Sequence, residues 1–75
     1  MMMTQLITDI ERYIAVRESA GRRIEESTFG RFAVNDGKLM ARLRAGNEIM
    51  PKTERKIRQW MADNPPEAVE QAGAA

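Results

Sequence analysis

Leu6, Ile7, Ile10, Tyr13 and Ile14 recur at spacings of three and four. These positions share one side of a helix, so the pattern predicts a helix from about Thr4 to Ala20 with a single buried stripe. Thr4 or Thr8 can cap its start, and Thr8 with Glu11 three residues on matches a capping box. Gly21 is the expected stop, because glycine enters the left-handed conformation that closes a helix without a Cβ penalty. Ile24, Glu25 and Glu26 read as a short connection, with Ser27 or Thr28 as the next N-cap. A second, short helix is predicted from about Thr28 to Val34, with Phe29, Phe32 and Ala33 on one face. Gly30 inside it costs about 1 kcal/mol against alanine. A glycine so placed predicts that another backbone passes close by.

Asn35-Asp36-Gly37 is the strongest turn signal in the chain, short enough to be a tight corner between helices. A third helix follows from about Asp36 to Ala45, with Leu39, Met40 and Leu43 as its apolar stripe and Lys38, Ala41, Arg42 and Arg44 facing elsewhere. Asp36 is its expected N-cap and Gly46-Asn47 its stop. A fourth runs from about Pro51 to Ala62, since proline suits the first helical position, where its missing N–H costs nothing. Ile49, Ile57, Trp60 and Met61 would close the core. Asn64-Pro65-Pro66 ends the helix, because a residue before proline avoids helical geometry. The pattern predicts an all-α fold, a compact bundle of about four helices over residues 4–63, with a disordered tail over 64–75. No internal repeat interrupts this reading.

Composition narrows the chemistry. Seventy-five residues make one domain with a marginal core. The chain has neither cysteine nor histidine, so disulfides, thiolate metal sites, the commonest zinc ligand and the commonest general base are all missing. Hydroxyls, amines and carboxylates remain, with no histidine to activate them. No enzyme activity, cofactor, metal or small-molecule substrate is expected. The apolar runs are too short to cross a membrane, and Met1-Met2-Met3 lacks the basic flank and apolar stretch of a secretory signal. Absence of cysteine fits a reducing interior, so a cytoplasmic, nucleoid-associated setting is expected.

The formal net charge is only +1, but its distribution is uneven. Between Arg31 and Arg58 lie eight basic residues (Arg31, Lys38, Arg42, Arg44, Lys52, Arg55, Lys56 and Arg58) against three acidic ones (Asp36, Glu48 and Glu54). That is an excess of five, so the rest of the chain is net acidic by four. A small domain also carries surface charge simply for solubility, but segregation of this kind suits a polyanionic partner.

A short helix, a tight polar turn and a basic amphipathic helix together have the form of a helix-turn-helix. Gly30, Ala33 and Gly37 supply small residues where the helices meet. The outer face of the following helix would enter the major groove. Asn35, Asp36, Lys38 and Arg42 are the candidate base contacts. Thr28, Arg31, Arg44, Asn47, Lys52, Thr53 and Arg55 are the candidate phosphate contacts, the last three because a helix N-terminus favours anions. Arg31 could equally pair with Glu26, and Thr53 could only support a first turn. Tyr13 and Trp60 fall on apolar stripes and read as core rather than as base-stacking platforms. Met40 and Met61 likewise suit the core.

Phe29-Gly30-Arg31-Phe32-Ala33-Val34-Asn35-Asp36, then Leu39-Met40-Ala41-Arg42-Leu43-Arg44-Ala45-Gly46, then Thr53-Glu54-Arg55-Lys56-Ile57, resemble a group of short bacterial and phage helix-turn-helix proteins. The stretch is similar to the lambda-repressor/Cro-like, or xenobiotic-response-element, class over about Leu6 to Met61. In that likeness Ala33 matches the small residue of the second helix. Met40 matches the recognition-helix anchor, and Gly46 the glycine that follows. The turn is shorter than the class norm and no fifth helix is evident, which bears on the recognition-helix register and the dimer seam. The resemblance implies sequence-specific binding of duplex DNA and transcriptional control.

One short recognition helix reads too few bases to single out a genomic site. A homodimer is therefore expected, formed on DNA if not before, with its seam on the Leu6–Ile14 helix or near Ile49, Met50 and Trp60. Two other classes use similar scaffolds. A helical protein–protein adaptor, such as an antitoxin or anti-repressor, would show salt-insensitive or absent DNA binding. An RNA module would want more aromatic residues for stacking unpaired bases than this chain has.

Overall fold

The computed structural model describes residues 2–67, with side chains from Gln5 onward. The described residues form an all-α fold of four helices with no strand: α1 (Met2–Ser19), α2 (Glu26–Val34), α3 (Leu39–Arg44) and α4 (Pro51–Asp63). The part of the expected tail over 68–75 lies outside them. Asn64, assigned to that tail, belongs to the fold. Its N–H and its side-chain amide both donate to the Trp60 carbonyl, and its own carbonyl accepts the Tyr13 hydroxyl.

Helix ends follow local chemistry where backbone conformation decides, and depart from it where side-chain capping was expected. Gly21 and Gly46 both take positive φ, +79° and +89°. At each, two backbone bonds wrap the last turn: Gly21 N–H to Glu18 and Arg22 N–H to Arg17, then Gly46 N–H to Leu43 and Asn47 N–H to Arg42. This double closure satisfies carbonyls that would otherwise be orphaned. Pro51 opens α4 as expected. By contrast, α1 already contains Thr4 and Thr8, so neither stands at its start and the Thr8–Glu11 capping box does not form. The α2 helix begins at Glu26 behind Glu25, and neither Ser27 nor Thr28 caps it. The α3 helix is only six residues long and starts three residues later than Asp36. Asp36 still makes a cap-like bond, its Oδ1 accepting the Lys38 N–H at 2.9 Å, but this closes the turn ahead of the helix.

The core gathers Leu6, Ile10 and Tyr13 of α1, Phe29 of α2, Leu39, Met40 and Leu43 of α3, Ile57 of α4, and Ile24. Helix α2 packs on both α3 and α4, while α1 packs on α3. Three aromatic rings meet where α1, α2 and α4 converge. Phe29 lies edge-on to Tyr13 at 5.6 Å and to Trp60 at 5.3 Å between ring centroids. Such edge-to-face contacts suit the ring quadrupoles and add to the apolar burial. Trp60 is half-buried rather than sealed.

Two apolar positions differ from the expectation. Phe32 does not share the buried face with Phe29. It is 61 % exposed and only leans on the Trp60 ring. Phe29 and Phe32 are about 300° apart around the helix at 100° per residue, near enough to share a broad stripe, but α2 is clamped on the side of Phe29 and Gly30. Ile24, read as connection, is buried because the chain turns inward between α1 and α2.

The α2–α3 corner is unusually tight. Asn35 takes the left-handed conformation, φ 58°, and the Asp36 N–H reaches back to the Gly30 carbonyl at 3.0 Å. A Cβ added at Gly30 would stand 2.1 Å from the Asp36 carbonyl oxygen and 3.1 Å from the Leu39 Cβ. The close backbone approach expected from a glycine inside a short helix is present.

Candidate nucleic-acid interface

The basic excess of the 31–58 stretch divides into two populations. Arg44 and Arg58 are consumed by carboxylates on the side of α1. Arg58 bridges Asp9 at 2.7 Å and Glu54 at 3.0 Å, and Arg44 bridges Glu26 at 2.6 Å and Glu11 at 3.0 Å. Hydrogen bonds from these guanidinium groups hold the Asp9 and Glu26 carboxyls below the usual carboxylate range, against a smaller opposing effect of burial. Among the described residues, Arg31, Lys38, Lys52, Arg55 and Lys56 make no ion pair. Arg42 is intermediate, its Nε 3.4 Å from Asp36 Oδ2 with the Arg42 side chain 59 % exposed.

Local structure places several of these cations near one corner and cleft. Leu39, Met40 and Leu43 turn α3 inward, which leaves Lys38, Ala41, Arg42 and Ala45 in solvent. Arg31 lies across the preceding turn, its Nε 3.3 Å from where a Gly37 Cβ would be. The next element in space is an open cleft of about 370 Å³ between α3 and the start of α4. Val34, Leu39, Ile49 and Met50 form its apolar lining, and Asp36, Arg42, Asn47, Glu48, Thr53 and Lys56 its polar lining. Lys52 is one turn before Lys56 on α4, so these two exposed ammonium groups continue the basic track beyond the cleft.

Four of the residues expected to contact DNA, Asp36, Arg42, Asn47 and Thr53, share this cleft. Asn35, Lys38 and Arg31 lie at the corner leading into it. Arg55 is exposed on α4 further round the helix, and Thr28 is half-buried one turn before Arg31 on α2, outside the cleft. Two residues have internal work that the sequence reading did not assign. Both Asp36 oxygens are engaged, one by the Lys38 N–H and one by Arg42, so the carboxylate holds the corner and aims Arg42. Arg44, expected at phosphate, points instead to Glu11 and Glu26. Arg31 does not take Glu26, because Arg44 already occupies both of its oxygens.

Lys56 was missed as a site residue. Its signal was available, since it stands three residues after Thr53 and hence on the same side of α4. No group of three or more potential metal ligands occurs among the described residues, and no helix there is long and apolar enough to cross a membrane. In comparison with known proteins, no family model, curated sequence or solved structure matches the chain.

Proposed function

We propose that this chain binds duplex DNA sequence-specifically, with α3 presented to the major groove, and that it regulates transcription. The observation that carries the reading is the sorting of its cations. Basic groups without an ion pair run from Arg31 past Lys38 to Lys56 and Lys52, with Arg42 held loosely by Asp36 between them, while carboxylates of α1, α2 and α4 neutralise Arg44 and Arg58. Arg12, Arg17 and Arg22 also make no ion pair among the described residues, but none of them lines the cleft. Lys38 and Arg42, flanking the exposed Ala41 on α3, read base edges, with Asp36 orienting the Arg42 guanidinium. Arg31, Asn47, Lys52, Thr53, Arg55 and Lys56 grip phosphates on either side. Asn35, already committed to the corner by its backbone, and Thr28 are minor contacts in this reading.

Selection on random duplex DNA at stated salt tests it, followed by two substitutions measured on the selected site and on unrelated DNA. Arg42→Ala is expected to cost about 1–3 kcal/mol on the selected site and far less elsewhere. Lys52→Ala should weaken both equally and lower the salt slope by about one. Equal losses on both DNAs for Arg42→Ala would make that residue a phosphate contact and remove the proposed reader.

The reading includes a homodimer, because few base contacts on one short helix give too little discrimination. The exposed Phe32 and Met50 and the half-buried Trp60 supply apolar surface for a second copy. Sedimentation with the selected duplex should show two protomers per site, on half-sites about one helical turn apart. A single protomer bound at high affinity with no second step would rule the dimer out. The adaptor alternative draws on the same apolar side chains, and it predicts binding to a protein that ignores salt.

A further inference from the structure

We propose that Arg44 is a positioning residue, which locks α3 against α1 and α2 through Glu11 and Glu26 and so sets the angle at which α3 meets DNA. The inference rests on the DNA-binding reading and replaces the phosphate role that sequence alone suggests for Arg44.

The geometry is specific. The two Nη atoms of Arg44 meet the two Glu26 oxygens at 2.7 and 2.6 Å, a bidentate pair, and Nη2 also reaches Glu11 Oε2 at 3.0 Å. One guanidinium thus joins three helices. Planar, forked recognition of a carboxylate is the arrangement that fixes orientation as well as distance. Two carboxylates surround one cation, so the cluster carries a net charge of about −1, and a phosphate approaching it meets repulsion rather than attraction. The Arg44 guanidinium, which could have served a phosphate here, is already neutralised.

The need for such a lock follows from α3 itself. It has six residues and no side-chain cap at its start. A helix this short is unstable alone and takes its order from tertiary contacts. Leu39, Met40 and Leu43 hold its inner face, and the forked Arg44 pairs add a directional contact that the hydrophobic effect alone does not supply. Arg44 holds its last turn, where a cation also suits the helix dipole. The same turn carries the Gly46 closure, and the next residues lead into the cleft.

The two roles predict opposite signs for one substitution. Wild type, Arg44→Gln, Glu26→Gln and the charge control Glu25→Gln are titrated by fluorescence anisotropy onto a duplex selected with the wild-type protein, at several salt concentrations. Glu25→Gln changes the net charge as Glu26→Gln does, but Glu25 pairs with Arg23 instead. A positioning role predicts that Arg44→Gln and Glu26→Gln both weaken binding by about three- to tenfold at unchanged salt slope, while Glu25→Gln does not weaken it. A phosphate contact predicts that Arg44→Gln lowers the slope by about one and that Glu26→Gln, by releasing Arg44, tightens binding. That result would overturn the proposal.

Thermal unfolding of the single and double variants separates failure of the lock from failure of the DNA reading. Arg44→Gln and Glu26→Gln should each lower the melting temperature by roughly 2–6 °C. The Glu26→Gln/Arg44→Gln double variant should melt no lower than Arg44→Gln alone. If no duplex is selected, the DNA reading fails while this cycle still decides the lock. Fully additive losses would overturn it.

Discussion

Phe29→Ala is expected to destabilise the domain by about 3–5 kcal/mol. The ring is fully buried and is the contact shared by Tyr13 of α1 and Trp60 of α4. Its removal leaves a cavity at the junction of three helices and strips both neighbours of their edge contacts. A domain of this size has a stability on the order of 4–11 kcal/mol, so the loss is a large share of the whole. Urea unfolding followed by Trp60 fluorescence measures it. Phe32→Ala supplies the contrast, because that ring is 61 % exposed and its loss should stay within about 1 kcal/mol. A Phe29→Ala loss as small as that of Phe32→Ala would mean that the aromatic junction is not the core.

Gly30→Ala tests the corner. In an ordinary helix interior the change would stabilise by about 1 kcal/mol through backbone entropy. Here the new Cβ would fall 2.1 Å from a backbone carbonyl oxygen, that of Asp36, which cannot swing aside as a side chain can. The 35–38 turn must shift, and overpacking of this kind costs about 1–3 kcal/mol or more. With a backbone atom as the obstacle the upper end applies, so the net expected loss is about 2 kcal/mol. The shift would also move the carboxylate that holds the Lys38 N–H and Arg42, so affinity for the selected DNA should fall with stability. A more stable Gly30→Ala variant would contradict the close approach.

These two neighbours show what a sequence reveals and what it leaves out. Gly30 was legible because glycine inside a short helix has few other reasons to be there. Gly21, Gly46 and Pro51 were legible for a similar reason: they act through backbone conformation, which neighbours along the chain determine. The buried stripes of α1 and α3 follow from spacing alone. Side-chain caps were less legible. Threonine and serine at Thr8, Ser27 and Thr28 are compatible with caps, yet both helices begin upstream of them. Phe32 is exposed because the stripe of a nine-residue helix does not say which edge its partners cover, and Ile24 is buried because the connection before that helix turns inward.

At the candidate site, the composition of the basic stretch was visible but its pairing was not. Arg42, Arg44, Lys56 and Arg58 look alike in sequence. What separates them is distance to Glu11, Glu26 and Asp9, which lie 18 to 49 residues away along the chain in the bonds concerned. Long-range ion pairs of this kind leave no local signal. Asp36 illustrates the same limit from the other side. Its place beside the turn marked it as special, but only the three-dimensional corner shows that both oxygens are spent on Lys38 and Arg42.

A salt titration with duplex DNA tests the proposed basic track most directly. If Arg31, Lys38, Arg42, Lys52, Arg55 and Lys56 together neutralise about four to six phosphates, log K falls linearly with log salt at a slope of roughly −4 to −5 per protomer. Affinity would then drop by about two to three decades between about 50 and 200 mM salt. Fluorescence anisotropy with a labelled selected duplex reads this slope in one series. A slope near −4 to −5 is the predicted result, and a flat response, or no binding at the lowest salt, would contradict the central claim.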